Sequence, residues 1–327
     1  MNNIFSSLFK NKKDSEYEGI TYKYLGKGGT GVVYKIKEDK QEDNQEYAIK
    51  IIPKNVYNDK EYKIGLYLNK ILNIDSINFI RIYDKIETES FVVLKMEYIP
   101  GKFTDWIIQK DSEKHSDKEW LLCILQIIIS LRILQQKINL FHRDMKPKNI
   151  LFKILEEPVE FEYENPSNNK KYKINTSTLF YITDFAHSLS NLTKEEENKQ
   201  DKQINSYENE DNDLFEIKNI PQRLKVDKLM KEYKNNYNEL YKIASKNPYF
   251  EEYYKEQKKK IEQKLKSYPT FIKEKHLARN ITYFILENNI INVDLSNIMS
   301  KDIEDIFDTL LDDDLDKTID NIYKLLR

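Results

Sequence analysis

The sequence predicts an α+β fold, in which antiparallel strands come early and helices make up most of the remaining part of the 327 residues. One observation is the segment after Gly31, which alternates polar and apolar residues and is rich in β-branched and aromatic side chains, as strands are. A second is the largely apolar run from Trp120 to Leu131, which predicts a buried helix. A third is the pattern from Leu224 onward, where apolar residues recur at helical spacing.

A cluster of glycines marks a candidate phosphate-binding loop. Four of the chain's seven glycines lie within six residues, in a segment that fits G-x-G-x-x-G-x-V, and none follows Gly101. Glycine lets backbone N–H groups approach an anion closely. Alone, the pattern also fits a dinucleotide-binding fingerprint or a tight hairpin. The segment consists of Leu25, Gly26, Lys27, Gly28, Gly29, Thr30, Gly31, Val32, Val33 and Tyr34.

The residues that follow favour a hairpin over the helix of a dinucleotide-binding fold. Val32–Lys37 alternates like a strand, Glu38–Gln45 is polar and predicts the turn, and Glu46–Ile52 predicts the next strand. This second strand contains the sequence Tyr-Ala-Ile-Lys, which ends at Lys50.

A second motif lies in Phe141–Leu151, where Phe-His-Arg-Asp-Met-Lys-Pro-Lys-Asn-Ile-Leu matches H-R-D-x-K-x-x-N. It places the carboxylate of Asp144 and the carboxamide of Asn149 five residues apart on one loop. A solvated turn would explain His-Arg-Asp alone, but not the full run after a glycine-rich loop and a long apolar helix. Together these segments resemble the signature set of the eukaryotic-type protein kinases.

The resemblance implies a two-lobed fold, with a small antiparallel-sheet N-lobe that carries one main helix and a mostly helical C-lobe. We therefore expect an N-terminal tail at 1–19, a nucleotide-binding N-lobe at 20–97 and a C-lobe at 98–327. Within the tail, Met1–Lys13 predicts a frayed terminus, with a short amphipathic surface helix as the alternative. The implied cofactors are ATP and Mg²⁺.

The resemblance also implies roles for individual residues. Asp144 would orient the substrate hydroxyl, and Lys146 would contact the γ-phosphate, as in Ser/Thr kinases and unlike tyrosine kinases. Asn149 would bind a metal ion. Lys50 would hold the α and β phosphates and would pair with Glu61 in the main N-lobe helix. A solvated surface glutamate is the alternative interpretation of Glu61.

Phe180–Ala186 resembles the strand and D-F-G motif of the family, and it makes Asp184 the other expected Mg²⁺ ligand. Ala186 replaces the glycine, and its Cβ disfavours the positive φ that glycine would allow. The chain between Asp144 and Asp184 is longer than is usual in the family. The excess, at about 155–177, predicts an inserted hairpin.

The expected adenine pocket is formed by several segments. Phe91–Gly101 resembles the strand and hinge of the family, with Met96 as the gatekeeper and with main-chain hydrogen bonds to adenine from Glu97 and Ile99. The ring would lie between Val33, Ala48 and Leu151.

Two features depart from the family pattern. Gly65 stands one turn after Glu61, where a bulky apolar residue is usual, and Leu66 or Leu68 is the candidate replacement. No A-P-E follows Asp184, and this short activation segment resembles those of haspin-type and some viral kinases.

The C-terminal part has several candidate features. Asp213–Ile217 resembles the start of the buried helix F. The charged stretch Lys194–Asp213 predicts a solvated loop, or a region that attracts a basic substrate. Further on we expect three or four helices, with tyrosine-rich stripes in the core or, alternatively, on a recognition surface. Ile298–Leu311 predicts a further amphipathic helix.

Composition excludes several classes of function. The 53 basic and 55 acidic residues nearly cancel, so no overall charge indicates binding to nucleic acid or to a membrane surface. The single cysteine, Cys123, excludes an intramolecular disulfide and predicts a buried, inert thiol. The apolar run around it is shorter than the roughly 18 residues of a membrane span, so we expect no transmembrane segment. With no signal-peptide pattern, we expect an intracellular, cytoplasmic protein, in the host cytoplasm if it is viral.

The sequence therefore predicts an ATP- and Mg²⁺-dependent Ser/Thr protein kinase that phosphorylates a protein substrate. Two alternatives remain: a small-molecule kinase on the same fold, and a pseudokinase scaffold. The sequence does not identify the substrate or the oligomeric state.

Overall fold

The computed structural model describes residues 2–28, 30–38, 46–57, 59–71, 78–107, 114–165, 168–190, 217–266, 270–287, 290–291, 295, 298–310 and 315–327. The chain divides into two units. The first unit comprises Met1–Ser112, Lys118–Ile217 and Leu310–Arg327, and the helical unit comprises Glu113–Asp117 and Lys218–Thr309.

An antiparallel sheet of six strands begins the first unit. In chain order the strands are β1 (Ser15–Tyr17), β2 (Ile20–Lys27), β3 (Val32–Glu38), β4 (Glu46–Pro53), β5 (Ile82–Glu87) and β6 (Phe91–Glu97), and their order in the sheet is β1-β2-β3-β4-β6-β5. The hairpin predicted after the glycine cluster is formed by β3 and β4, where Val33 pairs with Lys50. Helix α1 (Asn2–Asn11) precedes the sheet, and helix α2 (Lys60–Ile71) lies between β4 and β5.

The N-terminal segment is folded against this sheet, so the prediction of a frayed tail was wrong. Phe5 and Leu8 of α1 are buried in a cluster with residues of β2, β3, β4 and β6. The Tyr34 hydroxyl donates a hydrogen bond of 2.7 Å to the Leu8 carbonyl near the end of α1. The apolar residues of α1 are few, but they lie on one face, which is enough to cover the sheet.

The remainder of the first unit is built around one long buried helix. Its elements are β7 (Gly101–Lys102), α3 (Phe103–Ile107), α4 (Asp117–Ile138), β8 (Leu140–Phe141), β9 (Ile150–Glu164), β10 (Lys171–Ile182) and β11 (Leu189–Ser190). Helix α4 has 22 residues and is longer than the apolar run that predicted it. In the described residues only α4, at Asp117–Lys137, has the length and composition of a membrane span, but 78% of this apolar stretch is buried. Burial also raises the pKa of the Cys123 thiol, as expected for an inert cysteine.

The second unit contains five helices in the part of the chain that the structure describes. They are α5 (Ile220–Glu232), α6 (Tyr237–Ala244), α7 (Phe250–Lys264), α8 (Thr270–Glu287) and α9 (Lys301–Thr309). The tyrosine-rich stripes belong largely to its core, where Phe250 is fully buried and Tyr253 and Tyr254 pack against it; Tyr249 is 74% exposed. The Lys225 ammonium pairs with the Glu304 carboxylate and ties α5 to α9.

The predicted insertion is a hairpin, but its strands are continuous with those that lead from the H-R-D segment and into the D-F-G-like segment. Strands β9 and β10 pair along their length, and the register shifts between Thr176 and Thr178. The last helix, α10 (Leu315–Leu325), belongs to the first unit, as the hairpin does. Its Asp320 accepts hydrogen bonds from Lys170 (2.5 Å) and Tyr172 (2.6 Å) of the hairpin.

Buried polar side chains hold both strands of the hairpin. Asn78 donates to the Phe180 carbonyl (2.7 Å) and to Gln126 of α4 (3.0 Å), and it accepts a hydrogen bond from the Tyr163 hydroxyl. Gln126 also donates to the Thr178 carbonyl at 3.1 Å. Because buried polar groups are costly unless paired, this network fixes the hairpin against α4.

Candidate active site

Three ionisable side chains from separate elements meet at the centre of the first unit. The Lys50 ammonium on β4 lies 2.8 Å and 2.7 Å from the two carboxylate oxygens of Glu61 on α2. It also donates to Asp184 at 2.9 Å. Lys50 and Glu61 are 5% and 6% exposed, so the solvated-surface interpretation of Glu61 was wrong.

Within this group Lys50 and Asp184 favour each other's charged forms, whereas burial raises the pKa of Glu61 despite the adjacent Lys50. Burial opposes the charged form of Lys50, but Glu61 and Asp184 together outweigh it and raise the pKa of Lys50. Burial likewise opposes ionisation of Asp184, and the adjacent Lys50 outweighs it, so the pKa of Asp184 is lowered. The cation therefore stays charged at neutral pH and faces an ionised Asp184.

The H-R-D loop brings three predicted residues together. The Lys146 ammonium lies 2.7 Å and 2.5 Å from the two carboxylate oxygens of Asp144. The Asn149 amide Nδ2 donates to the Asp144 carbonyl at 2.8 Å and to its carboxylate at 2.9 Å. A short 3-10 helix, Pro147–Asn149, turns the chain back so that Asn149 reaches Asp144.

His142 fixes this loop through hydrogen bonds at both of its ring nitrogens. Its Nδ1 accepts a hydrogen bond from the Asp144 amide at 3.3 Å, so Nε2 carries the proton and lies 3.0 Å from the Thr183 carbonyl. Burial lowers the pKa of His142 and keeps it neutral. His142 thereby ties the loop that carries Asp144 to the segment that carries Asp184.

The backbone at Asp184 explains how alanine is accommodated two residues later. Asp184 has a φ of 69°, whereas Ala186 lies in a 3-10 helix, Phe185–His187. The left-handed conformation is therefore at the aspartate, which tolerates it better than most residues do. Ala186 itself does not have a positive φ, in agreement with the expectation that its Cβ disfavours that conformation.

The glycine-rich loop closes tightly over β4. The Gly28 amide donates to the Gly31 carbonyl at 2.8 Å. A Cβ on Gly31 would lie 2.5 Å from the Ile51 carbonyl oxygen, so only glycine fits at this close approach. Thr30 and Gly26 are partly buried and Lys27 is exposed, while Gly29 lies outside the described residues.

The residues predicted to contact adenine occur in one apolar cluster. Ala48 and Met96 are buried there, and Val33 and Leu151 pack against them. Ile99 is also a buried member of the cluster.

One expected hinge contact is changed by the structure. The Glu97 amide donates to the Arg81 carbonyl at 2.8 Å, so an adenine contact at Glu97 would have to use its carbonyl. The expected main-chain hydrogen bond between Glu97 and adenine is therefore limited to the Glu97 carbonyl oxygen.

Lys102 is a site residue that the motifs did not predict. Its ammonium donates to the Leu25 carbonyl at 2.8 Å and so links β7 to the strand that enters the glycine-rich loop. Leu25 itself is the extra residue where the register between β2 and β3 shifts. A single exposed lysine gives no signal in a sequence, so only the fold could reveal this contact.

The donor set fits Mg²⁺ better than a transition metal. Asp184 offers a carboxylate, and Asn149 offers a carboxamide oxygen, because its nitrogen makes the two hydrogen bonds to Asp144. Mg²⁺ is typically bound by one or two such oxygen ligands together with substrate phosphates and water. Among the described residues no group of three or more His, Cys, Asp or Glu side chains is placed to hold a metal ion by itself.

The activation segment is described only at its beginning. The Ser188 hydroxyl donates to the His142 carbonyl at 3.3 Å, and β11 pairs with β8. The charged stretch Lys194–Asp213 and most of the helix-F candidate Asp213–Ile217 lie outside the described residues.

Comparison with known proteins identifies the family. The sequence model of the family described as protein kinase domain matches residues 20–207 of this chain. Calcium-dependent protein kinase 4 of Plasmodium falciparum is 31% identical over 182 residues, which cover 52% of this chain and 33% of that protein. Myosin light chain kinase A of Dictyostelium discoideum is 31% identical over 138 residues, which cover 42% of this chain and 45% of that protein.

Other matches are more distant. Human calcium/calmodulin-dependent protein kinase type IV is 28% identical over 129 residues, which cover 39% of this chain and 26% of that protein. The chain thus spans less than half the length of these three relatives. A crystal structure of a kinase domain aligns with a TM-score of 0.40 and 20% identity, over 59% of this chain and 58% of that one. The family match covers more than half of the 327 residues, and the chain belongs to the protein kinase family.

Proposed function

We propose that this protein is a serine/threonine protein kinase that uses ATP and Mg²⁺ to phosphorylate a hydroxyl group of a protein substrate. The observation that carries the proposal is the hydrogen-bonded group of Asp144, Lys146 and Asn149. It combines a base for the hydroxyl, a cation and a metal ligand on one loop.

Each of these residues has a distinct chemical task. Asp144 accepts a hydrogen bond from the substrate hydroxyl and orients it for in-line attack. Lys146 places a positive charge beside Asp144, where it stabilises negative charge that develops on the transferred group. The Ser/Thr preference rests on this lysine, which is the residue that the resemblance associates with Ser/Thr kinases.

The nucleotide would be held from the other side. Lys50 is oriented by Glu61, and its charge is available to the α and β phosphates. The tight loop around Gly31 offers backbone N–H groups to the same phosphates. Mg²⁺, when bound by Asp184 and Asn149, would neutralise phosphate charge. The protein therefore acts by positioning and electrostatic stabilisation.

The proposal is tested by the destination of labelled phosphate. The protein is incubated with γ-labelled ATP and Mg²⁺, in parallel with a mixture of proteins and with a mixture of small metabolites. We expect label on protein serine and threonine, and its loss when EDTA removes Mg²⁺. Label confined to metabolites would contradict the proposal in favour of a small-molecule kinase, and no transfer to either mixture would indicate a pseudokinase.

A further inference from the structure

Helix α2 places three residues in one stripe that faces the sheet. Glu61, Gly65 and Asn69 are spaced by four residues, so they lie above one another on the same helical face. Glu61 contacts Lys50. Gly65 and Asn69 both meet a single residue of β5, Ile82.

The contact at Gly65 leaves no room for a side chain. A Cβ at this position would lie 2.3 Å from Cδ1, 2.6 Å from Cγ1 and 3.0 Å from Cβ of Ile82. Ile82 cannot easily turn away, because it is β-branched, 5% exposed and paired with Met96 in the sheet. Ile82 therefore fills the space of a side chain that α2 lacks.

Ile82 is also held through its backbone. The side-chain amide of Asn69, one helical turn beyond Gly65, donates a hydrogen bond of 2.5 Å to the Ile82 carbonyl. At the start of the helix, Lys85 of β5 donates to Asp59 at 3.1 Å. Helix α2 is thus attached to β5 near both of its ends, and the glycine lies between these attachments.

Glycine in this position has a conformational cost that needs a reason. It is among the poorest helix formers, and alanine would be preferred if only the helix mattered. The resemblance to kinases led us to expect Leu66 or Leu68 to compensate for the missing bulky side chain. In the structure Ile82 of β5 fills the space beside Gly65, while Leu68 is buried and Leu66 is partly exposed.

We propose that Gly65 and Ile82 are positioning residues, whose complementary shapes set the distance between α2 and β5 and so place Glu61 against Lys50. The proposal rests on the proposed kinase function, because the Lys50–Glu61 pair is the group that it serves. A side chain at position 65 would push the helix away from β5 and carry Glu61 with it. Displacement of a catalytic group by about 1 Å can cost about a hundredfold in rate.

The test compares Gly65→Ala, Ile82→Ala and the double variant Gly65→Ala/Ile82→Ala. The alanine at 82 removes Cδ1 and Cγ1, which make the two shortest contacts, and leaves only the contact at 3.0 Å. We expect Gly65→Ala to lower kcat by about tenfold to a hundredfold. With a serine-containing peptide as the phosphate acceptor, the KM for that peptide should stay unchanged, and the double variant should regain most of the kcat. Lys70→Ala, an exposed change on the same helix, is the control.

A second measurement does not depend on catalysis. The rate at which an amine-reactive reagent acylates Lys50 is measured by mass spectrometry, with Lys225 of the helical unit as an internal reference. Displacement of Glu61 removes one of the two carboxylates that hold Lys50. Gly65→Ala should therefore speed the acylation of Lys50, and the double variant should return it toward the wild-type rate. A general loss of stability would change the reactivity of both lysines.

These measurements separate the two proposals. If the wild type transfers no phosphate but the reactivity of Lys50 changes among the variants as expected, the proposed kinase function is contradicted. The role of Gly65 and Ile82 as a positioning pair is then still supported. If Gly65→Ala leaves both kcat and Lys50 reactivity unchanged, or if Ile82→Ala does not reverse its effect, the positioning pair is overturned. Where Gly65→Ala alone does not fold, a folded double variant with an unreactive Lys50 supports the pair, and an unfolded double variant contradicts it.

Discussion

The attachment of α10 to the inserted hairpin gives a quantitative prediction. Asp316 accepts hydrogen bonds from Arg132 of α4 at 2.9 Å and 2.8 Å, and from Asn165 at the hairpin end at 2.8 Å. One carboxylate thus joins three parts of the first unit. We predict that Asp316→Ala loosens the hairpin and α10 together.

The size of the effect follows from the burial of the pair. The side chains of Arg132 and Asp316 are 15% and 25% exposed, so the pair is closer to a buried ion pair than to a surface one. Breaking a buried pair costs about 3–5 kcal/mol, and a surface pair is worth at most about 1 kcal/mol. With partial exposure taken into account, we expect Asp316→Ala to lower the free energy of unfolding by about 2–3 kcal/mol. Asp316→Asn keeps an acceptor oxygen and should cost less.

Urea denaturation and amide hydrogen exchange of β9 and β10 measure this effect. Asp308→Ala, an exposed aspartate on α9, is the control. A double-mutant cycle with Arg132→Ala should give a coupling energy of about 1–2 kcal/mol. A loss below about 0.5 kcal/mol, within the range of ordinary surface substitutions, would refute the reasoning.

Three further predictions concern the sheet, the loops and pH. Leu8→Ala should lower the free energy of unfolding by about 2–5 kcal/mol, since Leu8 is buried against the sheet; a near-neutral result in denaturant titration would mean that α1 is not part of the core. Gly31→Ala should raise the KM for ATP or lower kcat by about tenfold or more, because its Cβ would meet the Ile51 carbonyl; steady-state kinetics should show a smaller loss for Gly26→Ala, whose Cβ meets nothing within 4 Å. Burial lowers the pKa of His142 below its ordinary value of 6.5, so the unfolded chain binds this proton first as the pH falls. The stability due to neutral His142 is therefore present above pH 6.5 and lost as the pH falls through the lower, folded pKa, and unfolding curves of His142→Asn should lose this pH dependence.

The residues that we propose to act on ATP and the substrate hydroxyl could be predicted because that chemistry needs fixed residue types at fixed spacing. Asp144 and Asn149 are five positions apart, and they contact one another through the short helix between them. Lys50 and Glu61 depend on tertiary structure, yet the order of the motifs was enough to pair them. The contacts among these residues follow from the motifs and from their order along the chain, and their roles stay predictions.

Shape complementarity could not be predicted in the same way. The compensation of Gly65 by Ile82 depends on the distance between a helix and a strand, which no spacing in the sequence encodes. The position of positive φ at Asp184 likewise depends on the backbone of the whole segment. The docking of α1 was missed because a short amphipathic segment can equally remain frayed, and only the sheet face that it covers decides between the two.

The direct test of the account is a single-turnover measurement of phosphoryl transfer from Mg²⁺-ATP to a mixture of serine-, threonine- and tyrosine-containing peptides. Wild type, Asp144→Asn and the exposed-site control Glu89→Gln are compared under the same conditions. We predict phosphoserine and phosphothreonine from wild type and control, and a rate about 10²–10⁴-fold lower for Asp144→Asn. Equal rates for wild type and Asp144→Asn, or phosphate on tyrosine alone, would contradict the account.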